Sequence, residues 1–328
     1  MIDSIRGRSL LTLNDLSRDG ILEVLDAAES FVEVNQRAIK KVPALKGRVV
    51  ASLFFEESTR TRLSFETAAK RLSADVLSLA VASSSMKKGE SLRDTIATID
   101  ALGIDAVVMR HRSSGAALQV KRYVPHVRVI NAGDGQHQHP TQGLLDVFTI
   151  RQTLAERRGI TASETGASLF EGLRILIVGD IRHSRVARSD VAAYATLGAD
   201  VRVAGPGTLM PVDIADWPVR VVEDFDEAIE WADVVGLLRL QHERGTGSFV
   251  PSLDEYTFTH GLTWARAKRL REGALIMHPG PMNRGVEIDS RVADLPAAVI
   301  NRQVHNGVPV RMAVLYLSVA GVDGGVDQ

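Results

Sequence analysis

Residues 47–72, GRVVASLFFEESTRTRLSFETAAKRL, decide how this chain is read. The apolar run GRVVASLFF predicts a buried strand, and TRLSFETAAKRL has helical spacing. Ser58, Thr59, Arg60 and Thr61 therefore fall in the turn and the first helical positions. There the backbone N–H groups lack intrahelical partners and the helix dipole favours negative charge. Hydroxyls and a guanidinium added to the same turn make a cradle for phosphate. Simple capping by Ser58 or Thr59, with solvated arginines, is the plainer alternative. The carboxyl end of a buried strand is the usual ligand side of an α/β sheet, which favours the site.

Outward from this stretch, strand-like runs alternate with helix-like segments, the pattern of an α/β protein with two domains, each a mainly parallel sheet flanked by helices. The first half offers RVVASLFF, ADVLSLA, IDAVVMR and VRVINAG as strands. A long helix follows from about Pro140 through TQGLLDVFTIRQTLAERR, with Leu144, Leu145, Phe148 and Leu154 near one face. A Gly-, Ser- and Thr-rich stretch, GITASETGAS, separates it from a second alternation: LRILIVGD, ADVRVAG, VRVVED, ADVVGLL and GALIMHPG. The boundary falls near residue 150, giving domains 1–149 and 150–303. A last helical segment, about Gly307 to Ala320, could pack on either domain.

Composition excludes several function classes. The 328 residues carry 39 Lys+Arg against 40 Asp+Glu, a formal net charge of -1, so no global field draws the chain to nucleic acid or to an anionic membrane. Any anion site must be local. There is no cysteine, which removes disulfides, thiolate metal sites and a Cys nucleophile together. The N-terminus, MIDSIRGRSL, has no apolar signal region, and MAVLYLSVAG near the C-terminus is too short to span a bilayer. A cytoplasmic location is expected.

Other candidate residues lie at predicted strand ends. Arg110 follows IDAVVM, where alone it reads as a surface ion pair. His139 directly precedes Pro140, which suits a helix start, and Gln142 is three residues on. His137 and His139 form an H-x-H pair, but no cysteine or third ligand accompanies it, so no metal is expected. SSSMKKGES reads on composition as an exposed loop. Arg185 follows a strand and turn, while Arg239 and Gln241 are two apart and would point the same way on an extended backbone. Arginine forks suit carboxylates.

FFEESTRTRLSFE, MKKGESLRDT, MRH, NAGDGQHQHPTQGLLD, GD followed by SRVARS, LLRLQHER and MHPGPMNRGVEI, in this order, resemble the aspartate/ornithine carbamoyltransferase family over nearly the whole chain. The resemblance implies two α/β domains, the first binding carbamoyl phosphate and the second aspartate, with the C-terminal helix, about 304–328, packing back on the first. It implies that Ser58, Thr59, Arg60 and Thr61 hold the phosphate, that Thr61, Arg110 and His139 reach the carbonyl oxygen, and that Gln142 fixes the carbamoyl NH2. It implies that Ser84 and Lys88 enter the site of a neighbouring subunit in a homotrimer with shared sites. Arg185, Arg239 and Gln241, joined by Lys88, would bind L-aspartate, and Glu56 and Arg244 would pair when the cleft closes. Backbone carbonyls of Pro279 and Gly280, in the segment ending at Pro281, would accept from the carbamoyl and amine groups. Gly280 stands where some relatives have leucine, a change that bears on closure and removes no side-chain chemistry.

The implied reaction transfers the carbamoyl group to the amine of aspartate, in pyrimidine synthesis, with no covalent enzyme intermediate and no cofactor. An ornithine-specific member would carry His-Cys-Leu-Pro where this chain reads HPGP, and LLRLQHER offers cations suited to a dicarboxylate. A dinucleotide-binding protein is disfavoured, because LRILIVGDIRHSRVARS lacks the G-x-G-x-x-G glycines. A dead scaffold ranks last because no motif is missing. The sequence leaves open whether regulatory or pathway-enzyme subunits also bind.

Overall fold

The structure is a computed structural model and describes residues 1–80, 90–240 and 249–320. After α1 (Arg18–Gln36) the chain alternates β1 (Val49–Phe54), α2 (Thr59–Arg71), β2 (Asp75–Ala80), α3 (Leu92–Asp100), β3 (Ala106–His111), α4 (Ala116–Tyr123), β4 (Arg128–Asp134) and α5 (Pro140–Arg158). A second run follows: β5 (Arg174–Val178), α6 (Arg185–Leu197), β6 (Asp200–Ala204), β7 (Arg220–Val221), α7 (Phe225–Trp231) and β8 (Val234–Leu237). It continues through α8 (Leu253–His260), α9 (Trp264–Ala267), β9 (Leu275–Met277), α10 (Ser290–Ala293) and α11 (Ile300–Ala320). Two compact units result, Met1–Phe148 with the chain from His305 onward, and Thr149–Val304.

Each unit has one parallel sheet, in the orders β2-β1-β3-β4 and β7-β6-β5-β8-β9. Helical crossovers cover both faces, which is why β1 and β5 read as continuous apolar runs without alternation. In the first unit Ala51, Leu53, Val107, Met109 and Val129 pack with Ile96 of α3 and Val120 of α4. In the second, Leu176, Val178, Val235 and Ile276 pack with Phe225 and Ile229 of α7 and with Val292 of α10.

The strand orders dictate where a ligand can sit. In the first sheet the chain moves outward from β1 to β2, then returns to place β3 and β4 on the other side of β1. The reversal opens a crevice between the carboxyl ends of β1 and β3. In the second sheet the chain moves from β5 to β6 and β7, then returns with β8 and β9, so the reversal lies between β5 and β8. Among the described residues no helix is long and apolar enough to cross a membrane.

Two local expectations are corrected. Helix α5 has no single apolar face: from Pro140 to Thr153 every residue is buried, polar ones included, while Leu154 is half-buried. Two of the buried polar side chains there bond to backbone carbonyls: Thr153 donates to the Thr149 carbonyl at 2.7 Å and Arg151 Nε to the Ala162 carbonyl at 2.7 Å. Helix α11 begins at Ile300, not near Gly307, and runs through Pro309. Gly307 and Pro309 are breaker signals that tertiary packing overrides.

One glycine is required beside the first crevice. Gly135, just after β4, has φ 49° and donates its N–H to the His111 carbonyl at 2.8 Å. A Cβ on it would collide with the backbone nitrogen and hydroxyl of Ser114. Gly135→Ala is expected to cost about 2 kcal/mol or more, from strain and overlap together. A thermal or denaturant unfolding midpoint equal to that of the wild type would contradict this.

Candidate active site

Ser58 is the N-cap of α2, yet its side chain makes no cap hydrogen bond, and no acidic residue lies in the first turn. By contrast, Ser17, Ser91, Ser184 and Ser252 each accept a backbone N–H as caps of α1, α3, α6 and α8. The start of α2 is thus held open by neither a hydroxyl nor a carboxylate, although its dipole favours an anion. Thr59 and Arg60 are exposed, Ser58 is half-buried and Thr61 is buried.

Arg110 stands in register with Phe54, the last residue of β1, so the end of β3 lies beside the turn that carries Ser58. Its Nη2 donates to Glu56 Oε1 at 3.2 Å and its Nη1 to the Ala132 carbonyl at 3.4 Å. Glu56 thereby anchors Arg110 within its own unit, a contact the sequence reading did not include. The other half of the expected closure pair, Arg244, lies outside the described residues, as do Ser84, Lys88 and Gln241.

His139 caps α5 through its backbone: its carbonyl accepts the N–H groups of Gln142 at 2.8 Å and Gly143 at 3.3 Å, with Pro140 at the first helical position. Its imidazole is buried. The approach to His139 is fixed by Asp134, whose carboxylate accepts from the Gly115 N–H (2.7 Å), Asn131 Nδ2 (2.8 Å) and the Gln138 N–H (3.2 Å). His137 Nδ1 adds a contact at 3.1 Å, so the H-x-H pair divides between a carboxylate anchor and a helix start. Among the described residues no group of His, Cys, Asp and Glu is arranged to hold a metal ion.

In the second unit Arg185 is the first residue of α6, after β5, and is buried. Ahead of it His183 Nδ1 lies 2.9 Å from Asp180 Oδ1, and the same oxygen accepts the His183 N–H at 3.0 Å. Arg239 lies two residues beyond β8 and is half-buried. β5 and β8 pair directly, so Arg185 and Arg239 follow adjacent strand ends.

The HPGP segment leaves β9 with Pro279 and Gly280 half-buried and Pro281 exposed. Gly280 has φ 63° and precedes a cis proline bond. Its positive φ is a reason for glycine here that the sequence did not disclose. Behind the segment His278 and Glu287 form a buried pair. His278 Nδ1 accepts the Gly280 N–H at 2.8 Å, so Nε2 carries the proton that faces Glu287 Oε1 at 3.1 Å. That oxygen also accepts the Asn283 N–H at 2.6 Å. Glu287 appears in the sequence only as part of a motif, and its role in holding the segment comes from the fold.

Two family models match the chain: the carbamoyl-phosphate binding domain of aspartate/ornithine carbamoyltransferase over residues 8–152, and the Asp/Orn binding domain over residues 171–318. The chain is 52% identical to the aspartate carbamoyltransferase catalytic subunit of Corynebacterium efficiens, covering 97% of this chain and 100% of that one. It is 53% identical to the corresponding subunit of Micrococcus luteus, covering 94% and 97%. The aspartate transcarbamoylase of Trypanosoma cruzi, solved with N-(phosphonacetyl)-L-aspartic acid, superposes with a TM-score of 0.84 at 30% identity, covering 97% of each chain. An ornithine carbamoyltransferase from Pyrococcus furiosus superposes with a TM-score of 0.82 at 28% identity, covering 98% and 99%. The fold therefore does not separate the two acceptor specificities.

Burial pushes the Asp134 carboxyl up, but hydrogen bonds from His137, Asn131 and Gly115 outweigh it and hold the carboxyl below its ordinary value. A depressed folded value means stability present above the unfolded value, about 3.9, and lost as pH falls through the folded one. Asp134→Asn is expected to cost about 2 kcal/mol at pH 7, with part of the acid-side loss of stability removed. Denaturation at pH 7 and near pH 3 measures both, and equal stability at pH 7 would contradict the anchor.

Proposed function

The chain belongs to the aspartate/ornithine carbamoyltransferase family, and from that premise we propose that it transfers the carbamoyl group of carbamoyl phosphate to the amine of L-aspartate, giving N-carbamoyl-L-aspartate and phosphate for pyrimidine synthesis. The observation that carries the reading is the uncapped start of α2 beside Arg110, at the reversal of the first sheet. A dianionic phosphate supplies what that helix start lacks, and the carbonyl it carries is the electrophile.

In this reading Ser58, Thr59, Arg60 and Thr61 take the phosphate, and Thr61, Arg110 and His139 donate to the carbonyl oxygen. As the amine attacks, the C–N bond forms, negative charge grows on that oxygen, and donors already aimed there lower the barrier. The C–O bond to phosphate then breaks, and the departing phosphate takes the proton lost by the amine. Gln142 and the carbonyls of Pro279 and Gly280 orient the carbamoyl NH2 and the amine, and Glu56 joins Arg244 on closure. Arg185, Arg239, Gln241 and Lys88 grip the two carboxylates. Arg239 and the absence of any cysteine favour aspartate over ornithine. The working assembly is a cytoplasmic homotrimer in which Ser84 and Lys88 serve a neighbour's site.

Carbamoyl transfer assayed with each acceptor tests the reading: product is expected with aspartate and not with ornithine, and the reverse outcome would overturn it. Arg239→Ala is expected to weaken succinate binding roughly a hundredfold while leaving carbamoyl phosphate binding nearly unchanged. Equal losses for both ligands by calorimetry would refute its role.

Shared sites make a further prediction. Lys88→Ala and Arg60→Ala chains should each be nearly inactive, yet trimers reassembled from a mixture should regain activity at about one native site per mixed trimer, because each cyclic mixed trimer has one interface with both native elements. Hybrids confirmed by mass and still inactive would show that the loop does not act across subunits.

A further inference from the structure

Arg311 of α11 is buried inside the first unit, only 4% exposed. Its Nη1 donates to Ser64 Oγ at 2.9 Å and to the Gly307 carbonyl at 3.2 Å, and its guanidinium lies 5.1 Å from the centre of the Phe65 ring. Ser64 and Phe65 are on α2, one turn beyond Arg60 and Thr61. A Cβ at Gly307 would collide with the guanidinium, so the helix leaves this space for Arg311. Burial lowers its pKa to about 10, against the opposing attraction of Asp146 and with the help of Arg110's charge. It is therefore still a cation at neutral pH.

Asp146, on α5, is 2% exposed. A buried carboxylate is costly without positive charge near it, and the charge of Arg311 attracts Asp146. Both oxygens of Asp146 accept from Nε2 of Gln142, one turn earlier, at 3.1 and 3.2 Å. A carboxylate has no proton to give, so the amide end of Gln142 that faces it must be the NH2. The Gln142 carbonyl oxygen is consequently turned away from Asp146.

We infer that Asp146 is the positioning residue that makes Gln142 present an acceptor, and only an acceptor, to the NH2 of the carbamoyl group. The inference rests on the carbamoyl-transfer reading and adds the selection of a carbamoyl over an acyl phosphate. Acetyl phosphate carries a methyl group in place of that NH2 and has nothing to donate to Gln142. Without a carboxylate behind it, the Gln142 amide can turn over and oppose NH2 to NH2. Arg311 also bonds Ser64 of α2, the helix that starts at the phosphate cradle.

The test is the affinity of the full-length protein for carbamoyl phosphate, acetyl phosphate and inorganic phosphate, measured by calorimetry for the wild type, Asp146→Asn and Arg311→Met. Asp146→Asn keeps the shape of the side chain but lets it face Gln142 with either end. The preference for carbamoyl over acetyl phosphate is expected to fall about tenfold, with the affinity for inorganic phosphate within about twofold of the wild type. Arg311→Met should move the preference the same way, because it removes a cation that attracts Asp146. An unchanged preference in folded Asp146→Asn, or an equal loss of all three ligands, overturns the inference. A wild-type chain that forms no carbamoyl aspartate marks instead the failure of the reading beneath it, and the inference falls with that reading.

Discussion

An α-helix cannot bond its own first N–H groups, and in this chain the start of α2 is left without the hydroxyl cap that serines give to α1, α3, α6 and α8. The rest of the first unit depends on that omission. Sheet order puts Arg110 beside it, β4 and the Asp134-anchored turn deliver His139 and Gln142 to the same edge, and Arg311 braces α2. A side-chain cap or an acidic first turn would strengthen the helix and spoil the anion site proposed there. The local stability forgone is about 1 kcal/mol, small against what a desolvated dianion gains from such donors.

The second unit solves a similar problem with more support behind each group. Arg185 and Arg239 follow paired strands, and neither can be replaced by lysine without losing a planar fork. The HPGP segment, proposed to present backbone carbonyls, is held from behind by His278 through the Gly280 N–H and by Glu287 through His278 and the Asn283 N–H. Asp180 holds the turn before Arg185 in a comparable way, through His183. The groups expected to touch substrate stand in front of a layer of buried polar partners.

That layering explains what could be read from the sequence. Strand ends, helix starts and the Ser-Thr-Arg-Thr run are local signals, so the parallel architecture and the placement of Arg60, Arg110, His139, Arg185 and Arg239 at strand ends follow from pattern. Contacts between distant residues have no such signature. Glu56 with Arg110 spans 54 positions and Arg311 with Ser64 spans 247, and neither pair is marked by spacing. Gly307 and Pro309 advertise a break that α11 does not make, because packing outweighs local propensity. In α5 the spacing marked one apolar face, yet the helix is buried on every side as far as Thr153, a condition that periodicity cannot reveal.

The central claim is that an uncapped helix start, completed by Arg60, holds the phosphate. Calorimetric titration of carbamoyl phosphate into the wild type and Arg60→Ala tests it most directly. The account predicts tight binding by the wild type and a loss of about a hundredfold in the variant, with the unfolding midpoint unchanged because Arg60 is exposed. Equal affinity in the two proteins would contradict it.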